Sequence, residues 1–335
     1  MTEPSKSLGE TPTLRLRVRQ VTYQAIGVNS YELTAENGGE LPRFSAGAHI
    51  DVHSGLGHIR QYSLCNDPDE RHRYVIAVLR KEDGRGGSIA IHDRFVPQRH
   101  AAVGTPRNSF RLVEGASRYL MLAGGIGITP LKAMAHRLEA IGADYTLHYC
   151  AKSMAHAAFL DELSPLADRG RVVIHCDGGN PKRGLDIASL LSRRAEGRQL
   201  YYCGPPGFMI ACAQASSHWP SDAVHCEYFE SPALPAAAPA RVGGDPRPED
   251  GFQVRIASSG RLLHVPGDTS IATILGRYGL DVGVSCESGL CGSCKVRYLS
   301  GEVDHKDYVL SEDERAEYLT TCVSRSKGAV LELDL

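Results

Sequence analysis

The sequence lacks the features that mark membrane, secreted or nucleic-acid-binding proteins. No apolar run approaches the roughly 20 residues that span a bilayer. The opening stretch, MTEPSKSLGETPT, has no apolar core of the kind found in a signal peptide. A formal net charge of −2 offers no positive surface to nucleic acid or anionic lipid. We therefore expect a cytoplasmic protein with no nucleic-acid or membrane partner, and a disordered tail over residues 1–13.

Cysteine, by contrast, is plentiful, with ten residues in the chain. Cytoplasmic cysteines are mostly reduced, which favours metal or redox chemistry over disulfides. The 335 residues are too many for one ordinary core and predict two or three domains. Residues 231–251, SPALPAAAPARVGGDPRPEDG, hold five prolines and few large apolar side chains. Residues 233–250 are therefore predicted to form a semi-rigid linker.

The blocks on either side of this linker differ in their hydrophobic rhythm. Residues 14–114 hold alternating runs such as LRLRVRQV and RYVIAVLR, which predict antiparallel strands in a β-barrel or a sandwich. Residues 115–232 alternate apolar strands with helical segments such as PLKAMAHRLEAIG, which predicts an α/β domain with a parallel sheet. Residues 251–335 form a third, small domain. The fold class is therefore multidomain.

The third domain holds a cluster of cysteines in CESGLCGSC, residues 286–294, and another cysteine further on in TTCVSR. The four positions are Cys286, Cys291, Cys294 and Cys322. Their spacing, C-x4-C-x2-C…C, is that of plant-type [2Fe–2S] ligation. Gly289 and Gly292 are predicted to take positive φ angles, so that the loop wraps closely around a cluster. A structural zinc site is the alternative, but such sites usually pair two C-x2-C knuckles.

A glycine-rich turn follows an apolar strand in YLMLAGGIGITP, residues 119–130. Gly124, Gly125 and Gly127 would let backbone N–H groups approach a pyrophosphate at a helix N-terminus. Thr129 is predicted to cap this helix and Pro130 to occupy its first position. The alternative is a tight turn that binds no ligand.

A second strand ends in a turn at YYCGPPGFM, residues 201–209, at the same predicted sheet edge. Ligands bind along this edge in open α/β folds, which places Gly204 and Pro205 beside the nucleotide. Cys203 would lie where a nicotinamide ring could sit. A buried structural cysteine is the alternative interpretation for this residue.

Two segments of the barrel block have the composition of a flavin site. HIRQYSLC, residues 58–65, offers a cation, an aromatic ring and a hydroxyl in Arg60, Tyr62 and Ser63, which suit ring stacking and phosphate binding. KEDGRGGSIAIHD, residues 81–93, places glycines and Arg85 before a short helix, which predicts a phosphate cradle. Either segment alone could be a turn beside a surface strand.

Taken together, RQYSLCND, GRGGS, AGGIGITP, CGPPGFM and CESGLCGSC…CVSR resemble the phthalate dioxygenase reductase family. The reductase components of vanillate demethylase and phenoxybenzoate dioxygenase belong to the same group. The resemblance covers residues 14–335 in the same domain order. It implies an FMN-binding barrel, an NAD-binding domain of the ferredoxin-reductase type and a C-terminal β-grasp-like ferredoxin domain.

The resemblance also implies site residues. The FMN contacts would be Arg60, Gln61, Tyr62, Ser63, Ala77, Val78, Leu79, Gly84, Arg85, Gly86, Gly87, Ser88, Thr129 and Phe229. Asp177, after the third strand of the α/β domain, would contact the ribose. Lys152 and Ser153 stand where the usual acid would follow the second strand, which leaves NADPH open although the family uses NADH. Cys203 and Glu227 are predicted to orient or stabilise the nicotinamide.

The implied function is that of a reductase component. It takes hydride from NADH onto FMN and passes single electrons through a [2Fe–2S] cluster to the terminal oxygenase of a Rieske-type aromatic oxygenase or O-demethylase. We expect the chain to be a monomer on its own. Two alternatives stay open: a P450 or other oxidase as the electron acceptor, or a C-terminal domain that acts only as a docking module.

Overall fold

The computed structural model describes residues 13–54, 59–84, 86–194, 196–230, 251–280, 282–284, 287–290 and 292–335. Residues 13–230 form one compact unit, and residues 251–335 belong to a second. Residues 1–12 of the predicted tail and the whole predicted linker lie outside the described residues, as do Arg85, Cys286 and Cys291, whereas Thr13 is the first residue of a strand rather than part of a disordered tail. The predicted boundary between barrel and α/β domain, at residue 114, stays a prediction.

The first unit begins with a six-stranded antiparallel sheet and one short helix. Its elements are β1 (Thr13–Ala25), β2 (Val28–Ala35), β3 (His49–His53), β4 (Ile59–Ser63), β5 (Tyr74–Leu79), α1 (Gly87–Arg94) and β6 (His100–Gly104). The strand order is β4-β3-β6-β1-β2-β5. Alternate residues such as Leu16 and Val18 on β1 are buried, because successive side chains of a strand point to opposite faces. The antiparallel sheet is confirmed, and its closure into a barrel stays a prediction.

A parallel sheet with helices between its strands follows. Its elements are β7 (Arg118–Gly124), α2 (Ile128–Ala140), β8 (Tyr145–Ala151), α3 (Leu160–Asp168), β9 (Val172–Cys176), α4 (Ile187–Leu191), β10 (Arg198–Gly204), α5 (Pro206–Ala215) and β11 (Val224–Tyr228). The strand order is β11-β10-β7-β8-β9. The chain adds β8 and β9 on one side of β7 and then β10 and β11 on the other, so the strand order reverses between β7 and β10. A crevice opens at such a reversal, at the carboxyl ends of the strands. The predicted α/β arrangement is confirmed.

The start of α2 differs from the sequence prediction. The helix begins at Ile128, and no side chain caps it. The hydroxyl of Thr129 donates instead to the carbonyl oxygen of Ile126, 3.0 Å away. Pro130 is therefore the third helical residue rather than the first. The prediction that Thr129 caps the helix is wrong because its side chain bonds back into the preceding turn.

The two sheets of the first unit share one hydrophobic core. Cys65 and Ala77 from the antiparallel part pack in the same cluster as Met121, Ile128 and Tyr201 from the parallel part. Burial of apolar surface contributes about 25 cal/mol per Å², so this common core stabilises the contact between the sheets. The crevice at the β7–β10 reversal thereby acquires a second wall.

The second unit is a small mixed sheet crossed by a helix. Its elements are β12 (Phe252–Ile256), β13 (Leu262–Val265), α6 (Ile271–Arg277), β14 (Lys295–Ser300), β15 (Val303–Asp304), α7 (Glu312–Arg315), β16 (Tyr318–Thr320), β17 (Arg325–Ser326) and β18 (Val330–Leu333). The main sheet has the order β13-β12-β18-β14-β16. Ile271, Ile274 and Leu275 of α6 are buried in its core. Across the described ranges of both units, no helix has the length and apolar character needed to cross a membrane.

The β7–β10 contact yields a first prediction. A Cβ atom on Gly127 would lie 2.2 Å from the carbonyl oxygen of Cys203, a distance that requires backbone movement. Gly127→Ala is therefore expected to lower the free energy of unfolding of the first unit by about 2 kcal/mol or more. The measurement is urea unfolding followed by the fluorescence of Trp219, the single tryptophan, which is buried in this unit.

Gly207→Ala serves as the matched control. A Cβ atom on Gly207, in α5, would have no neighbour within 4 Å, so alanine there should change stability by at most about 1 kcal/mol. Equal unfolding midpoints for Gly127→Ala and the wild type would contradict the proposed close approach.

Candidate functional site

A cavity of about 450 Å³ lies in the first unit where the two sheets meet. Its walls come from β4, β5, the loop before α1, the turn after β7 and the chain just after β11. Eleven predicted FMN contacts line it: Arg60, Gln61, Tyr62, Ser63, Ala77, Leu79, Gly84, Gly87, Ser88, Thr129 and Phe229. Segments far apart in sequence thus converge on one pocket.

One end of the cavity is charged. Gly86 has a φ of 81° and precedes α1, whose first turn has no side-chain cap. A Cβ atom on Gly87 would lie 2.8 Å from Cγ of Arg60, so glycine allows the arginine to lie directly against the start of the helix. The hydroxyl oxygen of Ser88 accepts a hydrogen bond from the backbone N–H of Lys81 at 3.1 Å. A guanidinium and uncapped backbone N–H groups together favour an anion.

The opposite side of the site, around Ser63, is buried. The Ser63 hydroxyl donates to a carboxylate oxygen of Glu227 at 3.3 Å. Burial raises the pKa of Glu227 to about 8, and the bond from Ser63 opposes this shift. His49 Nδ1 lies 3.9 Å from the second oxygen of Glu227. The carboxyl group is therefore held in a largely desolvated position, where its protonated form is favoured.

Cys203 lies next to this carboxyl group. It is the register partner of Glu227 on the adjacent parallel strand and is fully buried. Burial raises the pKa of the Cys203 thiol well above its usual value, and the Glu227 carboxylate raises it further. The structure brings the two predicted catalytic residues together, and both are disposed to be neutral near pH 7.

The glycine turn and the second predicted turn face each other across the reversal. A Cβ atom on Gly204 would lie 3.0 Å from Cα of Gly124, and one on Gly124 would lie 2.8 Å from Cδ of Pro205. Gly125 has a φ of 52°, in the left-handed region that favours glycine. The predicted nucleotide glycines are thus in close contact, at the carboxyl ends of β7 and β10.

Asp177 occupies a different part of the same edge. It follows β9 and accepts a hydrogen bond at Oδ1 from the backbone N–H of Gly179. The backbone N–H of Gly178 donates to the carbonyl oxygen of Lys152, which ties this loop to the end of β8. Asp177 does not line the 450 Å³ cavity, which is compatible with a contact to the far end of a dinucleotide.

Two of the predicted FMN contacts, Val78 and Gly86, do not line the cavity. The Val78 side chain is buried in the core of the antiparallel sheet, because alternate residues of β5 face opposite ways. Only the backbone of Val78 remains available to a ligand. Gly86 shapes the loop through its φ angle without lining the cavity.

Sequence reasoning missed several residues of the site. Lys81, Asp83, Ile126 and Glu230 line the cavity. Nζ of Lys81 lies 2.6 Å from Oε1 of Glu230. Lys81 could have been predicted as a site residue because it lies close to the GRGGS segment in the sequence. No local sequence pattern predicts its contact with Glu230.

The cysteine loop of the second unit is partly described. Gly289 and Gly292 have φ angles of 70° and 68°, which confirms the predicted positive values. The carbonyl oxygen of Cys294 accepts hydrogen bonds from the backbone N–H and the hydroxyl of Thr321, at 3.1 and 3.2 Å. Because Cys322 follows Thr321, two of the four predicted ligands are brought to one place.

Both sites fit the groups that the sequence predicts. The cavity has the size of a small-molecule pocket, an anion-binding end and two aromatic side chains, Tyr62 and Phe229. The second unit brings Cys294 next to the Cys322 segment, and thiolates are the ligands that iron–sulfur clusters use. Arg85, Cys286 and Cys291 belong to these predicted sites but lie outside the described residues.

Comparison with known proteins identifies the second unit. The family model for the 2Fe-2S iron-sulfur cluster binding domain matches residues 254–327. This range contains all four predicted ligand cysteines.

Two relatives match nearly the whole chain. The reductase subunit of tert-butanol monooxygenase / tert-amyl alcohol desaturase from Aquincola tertiaricarbonis is 64% identical over 324 residues, covering 96% of each chain. Phthalate dioxygenase reductase from Burkholderia cepacia is 40% identical over 323 residues, covering 96% of this chain and 97% of its own.

Two solved structures are also similar. A phthalate dioxygenase reductase, described as modular for electron transfer from pyridine nucleotides to [2Fe-2S], matches with a TM-score of 0.72 and 40% identity, covering 96% of this chain and 98% of its own. An intact type IV self-sufficient cytochrome P450 monooxygenase matches with a TM-score of 0.83 and 36% identity. That match covers all of this chain but 43% of the monooxygenase.

The full-length matches confirm the predicted resemblance and the predicted set of cofactors. The chain therefore belongs to the phthalate dioxygenase reductase family, oxidoreductase components that transfer electrons from NADH through FMN and a [2Fe–2S] cluster to a terminal oxygenase.

Proposed function

We propose that the 450 Å³ cavity is the FMN site of this chain and that NADH binds along the β7–β10 edge beside it. The observation that carries the proposal is the convergence of the predicted FMN contacts from five separate segments on one cavity. Arg60, Ser88 and the first turn of α1 would bind the phosphate, while Tyr62 and Phe229 would contact the ring. The antiparallel sheet would then be the predicted FMN barrel.

The proposed catalytic roles rest on two residues beside the cavity, which Ser63 of its wall contacts through a hydrogen bond to Glu227. Bound FMN would supply the chemistry that links a two-electron donor to single-electron acceptors. Cys203 and Glu227 would form the wall against which the nicotinamide lies, since both sit at the carboxyl ends of neighbouring strands. The neutral carboxyl group of Glu227, held by Ser63, would accept or donate hydrogen bonds without placing a charge there. Positioning and water exclusion are the contributions of these residues.

The second unit would carry single electrons onward. Cys286, Cys291, Cys294 and Cys322 would ligate the [2Fe–2S] cluster. The positive φ angles of Gly289 and Gly292 let the loop turn tightly between ligand positions. We propose that the acceptor is a Rieske-type terminal oxygenase and that the reductase acts in the cytoplasm as a monomer.

The chemical class of the partner's substrate is a separate question. The resemblance implies an aromatic oxygenase or O-demethylase. The 64% identity to the reductase subunit of a tert-butanol monooxygenase and tert-amyl alcohol desaturase supports a second candidate, an oxygenase of small tertiary alcohols. Reconstitution of this reductase with both kinds of oxygenase distinguishes them, because the cognate pair should give the higher kcat/KM for the reductase.

The P450 alternative has its own support in the similarity to the reductase part of a self-sufficient monooxygenase. A purified P450 offered in place of the oxygenase tests it directly. Turnover with the P450 that exceeds turnover with Rieske-type oxygenases would favour the alternative.

The cluster assignment yields a second prediction. In Cys291→Ser, NADH-dependent reduction of ferricyanide should stay within about twofold of the wild type, while turnover of a reconstituted oxygenase falls about a hundredfold or more. The loss of one thiolate would disrupt the cluster but leave the flavin unit intact.

Cys176→Ser is the control for this experiment, because Cys176 is an exposed cysteine of the first unit. It should leave both activities unchanged. Undiminished oxygenase turnover in Cys291→Ser would mean that electrons leave directly from the flavin and that the second unit is a docking module.

The pKa of Glu227 yields a third prediction. Because the folded-state pKa is raised from 4.5 to about 8, the folded chain binds more protons than the unfolded chain between these values. The free energy of unfolding should therefore fall as the pH rises from about 4.5 to about 8, on the order of 5 kcal/mol from this group. Glu227→Gln should remove that component and be the more stable variant at about pH 9.

The measurement is urea unfolding of the flavin-free chain, followed by Trp219 fluorescence across this pH range. Glu40→Gln is the control, since the Glu40 side chain is 70% exposed in the same unit. Parallel pH profiles for the wild type and Glu227→Gln would show that Glu227 ionises as an ordinary surface acid does.

A further inference from the structure

The Lys81 side chain lies at the charged end of the cavity. Its own backbone N–H bonds to the Ser88 hydroxyl, so the residue is fixed to the start of α1. A Cβ atom on Gly84 would lie 3.4 Å from Cβ of Lys81, which places the lysine stem along the same loop. Lys81 lines the cavity together with Arg60, Gly87 and Ser88. Lys81 thus lines the same cavity as the groups that are proposed to bind the phosphate.

The ammonium group of Lys81 is held by an acid in this structure. Nζ of Lys81 and Oε1 of Glu230 lie 2.6 Å apart, and Glu230 also lines the cavity. The side chains are 39% and 48% exposed. Ion pairs with this much exposure contribute little to stability, so a multiply charged anion can displace one partner. A phosphate monoester carries a charge of about −1.5 to −2 at pH 7 and three strong acceptor oxygens.

We propose that Lys81 binds the phosphate of FMN and that Glu230 competes with this phosphate for the Lys81 ammonium group. The inference rests on the proposed function and deepens its flavin site. Lys81 then adds to the affinity for FMN but not to that for riboflavin, which has the same ring and no phosphate. Glu230 weakens FMN binding, because its carboxylate must give up Lys81 before the phosphate takes its place. Occupation of the site releases the Glu230 carboxylate, directly after Phe229.

The experiment titrates the full chain, freed of flavin, with FMN and separately with riboflavin, and follows flavin fluorescence. Lys81→Met should weaken FMN binding about tenfold and leave riboflavin binding unchanged. Glu230→Gln should tighten FMN binding about two- to fivefold, again with no change for riboflavin. Changes of opposite sign at two paired residues would not arise from a merely structural ion pair.

Two matched controls separate these effects from net charge. Lys182→Met removes an exposed lysine from the same unit. Glu114→Gln removes a carboxylate that is 47% exposed and pairs with Arg137 at 2.7 Å. Neither should change the affinity for FMN or riboflavin by more than about twofold.

The outcomes distinguish this inference from the proposed function. Weaker FMN binding in Glu230→Gln, or equal losses for FMN and riboflavin in Lys81→Met, would mean that the pair only braces the loop and would overturn the inference. A wild-type chain that binds neither flavin would overturn the proposed function and the inference together. Wild-type affinity for FMN in both variants would overturn the inference alone.

Discussion

The arrangement of residues 13–230 depends on the close approach of the turn after β7 to the end of β10. Gly127 lies where any side chain would strike the carbonyl oxygen of Cys203, and Gly204 lies against Gly124. This contact places the start of α2 beside the end of β10. Cys203 then packs in the hydrophobic core that the two sheets share, and Glu227 on the next strand accepts a hydrogen bond from Ser63 of β4. The cavity lies where the two sheets meet, in the same unit as this glycine contact.

The anion-binding end of the cavity and the buried carboxyl group of Glu227 lie in different parts of the candidate site. At one end, Arg60 and the first turn of α1 offer positive charge and backbone donors, which suit a phosphate. Beside the cavity, next to Ser63, desolvation raises the pKa of both Cys203 and Glu227, which favours their neutral forms. The candidate site thus combines an anion-binding end with a neighbouring desolvated pair of strand ends.

Much of this could be predicted from local sequence patterns. The spacing of the four cysteines predicted a [2Fe–2S] domain, which the family match over residues 254–327 confirms. Strand–helix alternation predicted the parallel sheet, and glycine-rich turns predicted its ligand edge. These signals are local because a turn, a helix start or a metal loop needs particular residues within a short segment.

The features of the site that the sequence did not predict depend on contacts between distant segments. The Lys81–Glu230 pair and the approach of His49 to Glu227 join opposite ends of the first unit. The hydrophobic periodicity of the sequence does not indicate which distant segments will come into contact. The start of α2 was misplaced for a different reason: the hydroxyl of Thr129 had two available bonding modes, and it bonds to Ile126 rather than capping the helix.

We propose that electrons pass from NADH through a flavin in the first unit to a cluster in the second. An anaerobic titration of the purified chain with NADH, followed by visible spectra and EPR, distinguishes this sequence of transfers from its alternatives. We expect the flavin and cluster bands to bleach together and a rhombic [2Fe–2S] signal to appear. Reduction of the flavin without an iron–sulfur signal would refute the proposed transfer and leave the second unit as a docking module or a zinc site.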